Sequence, residues 1–173
     1  MPRPAALFLL LSALMGAAEA SAQQQPAPVP DAMPNNIPYG PTITAERAAQ
    51  PVQAVMAAAR SGARDWKLAI AVVDPHGELV YFYKMDDTQF GSVTIAQNKA
   101  RGAARLRRPT QVFADQMATP AGAYVPTLGP DAVASPGGVP LILNGQLIGA
   151  IGCSGASGAQ DHVACTAGAA ALR

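Results

Sequence analysis

Residues 149–158 read GAIGCSGASG, with glycine at every third position, and several polar groups capable of chemistry gather around them. Ser154 lies inside the run, Cys153 and Cys165 are the chain's two cysteines, and Asp161 and His162 follow closely. A glycine-rich turn before a helix is one way to cradle a phosphate. The dinucleotide fingerprint needs G-x-G-x-x-G in a parallel βαβ unit, and a P-loop needs G-x-x-x-x-G-K-[ST]. The spacing here matches neither, and no lysine follows Lys99. Ser154 stands in G-C-S-G, not in the G-x-S-x-G elbow, and no histidine is placed as its base. Two readings of the glycines stay open: they thin a strand for close packing, or the thinned strand walls a ligand pocket.

Other candidates are sparse. Two histidines and two cysteines show no metal-ligand spacing. His76 sits in the turn D-P-H-G, where it is either a solvated turn residue or a ligand. His162, at the start of the last expected helix, has the same two readings. Asp161 either complements that helix's dipole or binds a substrate or metal beside the glycine-lined strand. Lys99 and Arg101 are two residues apart and do not share a helix face. Arg105, Arg107 and Arg108 read as a surface cluster at a helix end.

The elements that must position these groups follow from periodicity. Thr44 is an expected N-cap for a helix whose face is Ala48, Val52, Val55, Met56 and Ala59, with Pro51 kinking it or delaying its start. Leu68–Val73 and Leu79–Tyr83 flank the turn Asp74-Pro75-His76-Gly77 as a hairpin. Along the second strand Tyr81 and Tyr83 share one face and Phe82 the other. Ser92 is expected to cap a helix running to about Leu106, with a small-residue face of Ala96, Ala100, Ala103 and Ala104 suited to subunit contacts. A short helix over 110–117 and a loop over 118–138 follow. Asn144-Gly145 marks a type I′ hairpin between Leu141–Leu143 and Gln146–Cys153. The last helix covers about 159–172, with Asp161, Cys165 and Gly168 aligned. Hairpins require antiparallel strands, so the fold class is α+β: one antiparallel sheet with helices packed against it.

Residues 1–22 carry a basic start, an apolar middle and an A-x-A end, the pattern of a secretory signal peptide. The apolar run is short of the about 20 residues a spanning helix needs. Residues 23–41 are rich in proline and glutamine and read as an extended tether, leaving 42–173 as one domain. The expected location is periplasmic or secreted, where a Cys153–Cys165 disulfide is permissible. A formal net charge of +1 gives no case for nucleic acid or an anionic membrane surface. Only 13% of residues are charged, which favours burial against further copies of the chain.

LAIAVVDPHGELVYFYKMD, GSVTIAQNKARGAA and GGVPLILNGQLIGAIGCSG followed by QDHVACTAG resemble the GlcG/HbpS-like family of haem-binding-domain proteins. The resemblance runs from about Thr44 to Leu172. It implies an α+β domain, homo-oligomers, a small-molecule ligand and, in some members, haem. Related domains are fused to cobalamin adenosyltransferases. Other members accompany redox-sensing partners or glycolate metabolism. Lys99 and Arg101 match the K-A-R segment, Gly137, Gly138 and Pro140 match G-G-V-P, and Ser154, Gly155 and Asp161 match the S-G and Q-D positions. Together they are the implied lining of a shared pocket. The family often has histidine where this chain has Glu78, and His76 stands two residues earlier. The haem ligand differs between family members, and the iron- or metal-ligand candidates in this chain are His76 and His162, with Tyr81 or Tyr83 as further haem-ligand types. The favoured function is an exported, oligomeric binder of haem or a related tetrapyrrole. The alternatives are an enzyme of hydroxy-acid type metabolism, or an accessory partner of an exported redox or sensor protein.

Overall fold

The computed structural model describes residues 29–173; the expected signal peptide, 1–22, and the start of the expected tether, 23–28, lie outside the described residues. At the centre is β1 (Ala69–Val73), whose five residues are all buried. It pairs antiparallel with β2 (Leu79–Lys84) on one side and with β4 (Gln146–Ser154) on the other. β4 also pairs antiparallel with β3 (Gly138–Leu143), giving the strand order β2-β1-β4-β3.

Strand alternation assigns each face its helices. Ile70, Val72, Ile151 and Cys153 enter one apolar cluster with α1 (Ala45–Ala59) and α4 (Gly158–Ala170). Ala69, Ala71, Val73 and Ala150 enter another with α2 (Ser92–Arg105). Helices thus cover both faces. β1 can be apolar throughout because neither of its faces meets water. Tyr81 and Tyr83 pack on the α1/α4 side and Phe82 on the α2 side, as alternation requires.

The face under α2 is built from the smallest side chains. Ala96, Ala100, Ala103 and Ala104 are all fully buried against the sheet of their own chain, so the alanine face is an intrachain surface, not the expected subunit contact. A Cβ on Gly152 would lie 2.0 Å from the Ala96 carbonyl oxygen and 2.6 Å from the Ala100 nitrogen. Both obstacles are backbone, so nothing there can move aside cheaply.

Local chemistry corrects three further expectations. Pro51 lies inside an uninterrupted α1, which starts at Ala45 behind the Thr44 cap. Ser92 is the first residue of α2, not its cap; its hydroxyl accepts from Gln89 Nε2 and from the Ser154 hydroxyl. After α3 (Gln111–Met117), Pro120–Leu128 forms a 3₁₀ helix inside the expected loop. Such a helix has no 3.6-residue stripe to read, and proline at its start has a φ that suits it.

The end of the expected tether lies along the sheet. Leu147 N–H donates to Pro38 O, Gly40 N–H to Leu147 O and Ile43 N–H to Ile148 O. Residues 38–43 therefore occupy the place beside the start of β4 that β1 leaves open. Replacing Gly152 by alanine should cost about 1–3 kcal/mol, the range of forced overpacking, or more. Gly91→Ala, at a site with open space around it, should change stability far less. Urea unfolding of the two variants compares them directly.

Candidate functional site

Lys99 stands in the buried stripe of α2 among Ala96, Ala100 and Ala103. Its stem is buried and its ammonium reaches past the end of the sheet to α4. Nζ donates to Asp161 Oδ2 at 2.8 Å and to Cys153 O at 3.1 Å. The side chains of Lys99 and Asp161 are 1% and 3% exposed, so this ion pair is sealed. The other oxygen, Asp161 Oδ1, accepts from Ala156 N–H at 3.1 Å.

Of two adjacent glycines, Gly137 makes room for this pair and Gly138 for the α2 backbone beside it. Gly137 has φ +122, and a Cβ there would fall 2.8 Å from Asp161 Cβ and 3.1 Å from Lys99 Nζ. A Cβ on Gly138 would fall 2.2 Å from Lys99 O. Thr110 closes the rear, accepting from Gly138 N–H and donating to Ser135 O. Cys153 and Cys165 are joined in a buried disulfide with Cα atoms 5.8 Å apart, holding α4 against β4. Ser157 and Gln160 form a capping box at the start of α4. Asp161 and Cys165 are one helical turn apart on its buried side.

Burial pushes the Asp161 carboxyl above its ordinary value of 3.8, opposed by the hydrogen bond and charge of Lys99 and by the Ala156 N–H. A carboxyl with a raised folded-state value contributes stability that is full below 3.8 and is lost as pH rises through the folded value. Lys99 limits that loss.

The implied pocket set is thus only partly assembled. Lys99, Gly137, Gly138 and Asp161 meet, but as packed interior. Pro140 is buried in β3 opposite Ala150. Ser154 is buried with its hydroxyl on Ser92. Gly155, at φ +147, sits against the Lys67 carbonyl, where a Cβ would have no room. Arg101 points elsewhere, its Nε donating to Gly77 O at 3.2 Å. His162 is half-buried at the start of α4, and its Nδ1 is buried without a partner.

The open space lies at the other end of β1, around the β1–β2 turn. Asp74 Oδ1 accepts from the backbone N–H groups of His76 and Glu78, both at 2.9 Å, and so fixes the turn. Arg105 Nε donates to His76 O at 2.7 Å. The backbone of residue 76 is held on both sides, while its exposed imidazole makes no hydrogen bond among the described residues. A cleft of about 370 Å³ beside it is lined by Tyr39, Gly40, Thr42, Pro75, His76 and Arg105. Tyr39 is pinned as well: its hydroxyl donates to Arg105 O at 2.9 Å, and the Arg107 guanidinium lies 5.3 Å from its ring centre. A larger groove of about 510 Å³ lies over the start of α1, lined by Glu46, Arg47 and Gln50 among others.

Sequence reading missed Tyr39, which was assigned to the tether, and treated Arg105 as one of a surface cluster. Only the pairing of residues 38–43 with β4 brings Tyr39 to α2. A signal did exist for the arginines: Asn98, Arg101 and Arg105 recur at i, i+3 and i+7.

Lys99→Met should leave Asp161 buried without a counter-charge, costing about 3–5 kcal/mol near neutral pH. The cost should shrink on acidification, because protonation removes the unpaired charge. Lys99→Met with Asp161→Leu should recover most of it. Urea unfolding across pH checks both expectations.

The family described as Haem degrading protein HbpS-like matches residues 43–170. Protein GlcG of Escherichia coli K12 is 38% identical over 107 residues, covering 61% of this chain and 78% of GlcG. Among solved structures, a double mutant of Streptomyces reticuli HbpS superposes with a TM-score of 0.68 at 29% identity, covering 86% of this chain and 99% of that one. A PduOC:heme complex superposes with a TM-score of 0.67 at 25% identity, covering 76% of this chain and 96% of that one. With a family match over Ile43 to Ala170, most of the chain, and with solved HbpS-like structures superposing on its sheet and helices, the chain belongs to the HbpS-like family.

Proposed function

We propose that this protein binds haem in the cleft between Tyr39 and the β1–β2 turn. The residues there fit the group by their chemistry. His76 offers an imidazole with no hydrogen-bond partner among the described residues, a common axial ligand type for haem iron. Tyr39 offers a fixed aromatic face, and Arg105 lines the cleft with its charge already paired to Asp131. A cleft of about 370 Å³ would cover part of the macrocycle and leave the rest exposed. The exposed imidazole, without a hydrogen bond among the described residues and lining one cleft with Tyr39, in a chain of this family, carries the reading. Solved haem-bound PduOC supports it as a relative of the same fold. Bound haem would supply an iron centre for ligand exchange or redox chemistry. This chain's residues would orient the macrocycle and shield one side of it from water.

The same reading includes export and assembly. Residues 1–22 serve as a cleaved signal, the mature protein resides in the periplasm or outside the cell, and copies associate, with the second copy covering the exposed part of the haem. The A-x-A end, the permissible disulfide and the low charge support this. No helix among the described residues is long and apolar enough to cross a membrane. Intact mass and light scattering of protein from its native host should give a chain beginning at Gln23 and a particle larger than one chain. A mass that retains Met1 would overturn the export reading, and a strict monomer the assembly.

Haem titration of the purified protein should produce a saturable Soret band, and His76→Ala should weaken or abolish it while His162→Ala leaves it intact. Loss in the His162 variant alone would move the ligand to α4. No Soret band in the wild-type protein would overturn haem binding altogether.

A further inference from the structure

A second cleft shares Arg105 with the first and has a different chemistry. It measures about 290 Å³ and is lined by Glu78, Asn98, Arg101, Arg105, Pro130 and Asp131. Helical spacing places Asn98, Arg101 and Arg105 along one face of α2. Two close approaches set the opposing walls on that face. A Cβ on Gly77, which has φ +91, would lie 2.7 Å from Arg105 Nε and 3.4 Å from Arg101 Cγ, so glycine lets the turn rest on both arginine stems. A Cβ on Gly102 would lie 2.2 Å from Asp131 O, so glycine lets residues 130–131 settle on the helix.

The polar groups in this cleft are unequally used. Arg105 is committed: Nε to His76 O, and Nη1 to Asp131 Oδ2 at 3.2 Å. Asp131 is neutralised by that pairing. Arg101 uses only Nε, on Gly77 O. Among the described residues its terminal amino groups have no protein partner, nor does the Asn98 amide. Glu78 has one distant ion contact, 3.7 Å to Arg105 Nη2, and its side chain is 73% exposed. The unspent capacity is therefore one guanidinium fork, one amide and one carboxylate.

A simple anion would suit the fork and be opposed by Glu78. A simple cation would meet the reverse conflict. A ligand with both signs satisfies all three groups. We propose that this cleft binds a small zwitterion of the α-amino-acid class, its carboxylate on Arg101 and Asn98 and its ammonium on Glu78. Guanidinium pairs with carboxylate through two parallel hydrogen bonds, and ionised partners make the stronger contacts. The volume sits just under the about 300–1,000 Å³ of sites for drug-sized molecules, which suits an amino acid with a small side chain.

The test is calorimetric titration of the full, disulfide-intact chain with L-alanine, acetate, methylammonium and L-lactate. L-Alanine should bind saturably, and the two half-ligands and lactate at least about tenfold more weakly, as expected for loss of a charged hydrogen bond. Glu78→Ala, at an exposed position that folding does not depend on, should weaken L-alanine by a similar factor, and Arg101→Ala should do the same. Absence of saturable L-alanine binding overturns the proposal. So does acetate or lactate binding as tightly as L-alanine, or a Glu78→Ala protein that binds it unchanged. The Soret titration is read independently: L-alanine binding without a Soret band sustains this site and removes the haem reading, and the reverse removes this site alone.

Discussion

The seat of α2 on the sheet governs most of this structure. Helix and sheet meet mostly through alanine and glycine, with Val73 and Phe82 at the margin, and at Gly152 the two backbones are in contact. Such a seat leaves no slack. It fixes the depth and rotation of α2, and with them the direction in which each α2 side chain leaves the helix. Lys99 is carried inward past the sheet end, and Asn98, Arg101 and Arg105 are carried outward over the β1–β2 turn and residues 130–131. The interior pair and the outer clefts are two consequences of one packing constraint.

At the Lys99 end, residues suited to a binding pocket serve as a cross-layer tie. α2 and α4 lie on opposite faces of the sheet, and a direct contact between them has to pass around its end. The Lys99–Asp161 pair does this, through space that Gly137 leaves empty. The disulfide fixes α4 to β4 one helical turn further along. A buried ion pair is weak evidence of stability by itself, since desolvation offsets much of the attraction. What it supplies here is registry: a charge at Lys99 with only one acceptable carboxylate holds α4 in a single rotation against the strand.

Much of this was legible in the sequence, and the exceptions have physical reasons. Both hairpins were readable because Asn144-Gly145 and Asp74-Pro75-His76-Gly77 encode turns locally. The last helix and the alignment of Asp161, Cys165 and Gly168 followed from spacing. The role of the alanine stripe was not legible, because a small-residue face packs equally well on its own sheet or on another chain. Tyr39 was hidden for a similar reason: a proline-rich stretch has no period, and its pairing with Leu147 depends on a gap left by the short β1. The family resemblance did group Lys99, Gly138 and Asp161, yet matching motifs say nothing of whether water reaches them. Burial decides between pocket and core, and it is a property of the assembled layers.

The clefts at the far end of β1 show the opposite use of polar groups. There side chains hold the backbone of the turn, and the His76 ring, the Asn98 amide and the Arg101 terminal amino groups have no protein partner among the described residues. Asp74 and Arg105 satisfy the backbone of the turn, so His76 is presented without local competition for its ring. Arg105 in turn is held by Asp131, which is set on α2 through Gly102. A rigid backbone with unspent side chains lowers the ordering entropy that binding has to overcome. At the Lys99 end the two charges are paired and buried, and among the described residues the buried polar side-chain atom left without a partner is the neighbouring His162 Nδ1. The two ends of β1 thus use their polar groups differently: Lys99 and Asp161 are paired and buried at the sheet end, and His76, Asn98 and Arg101 line open clefts at the turn.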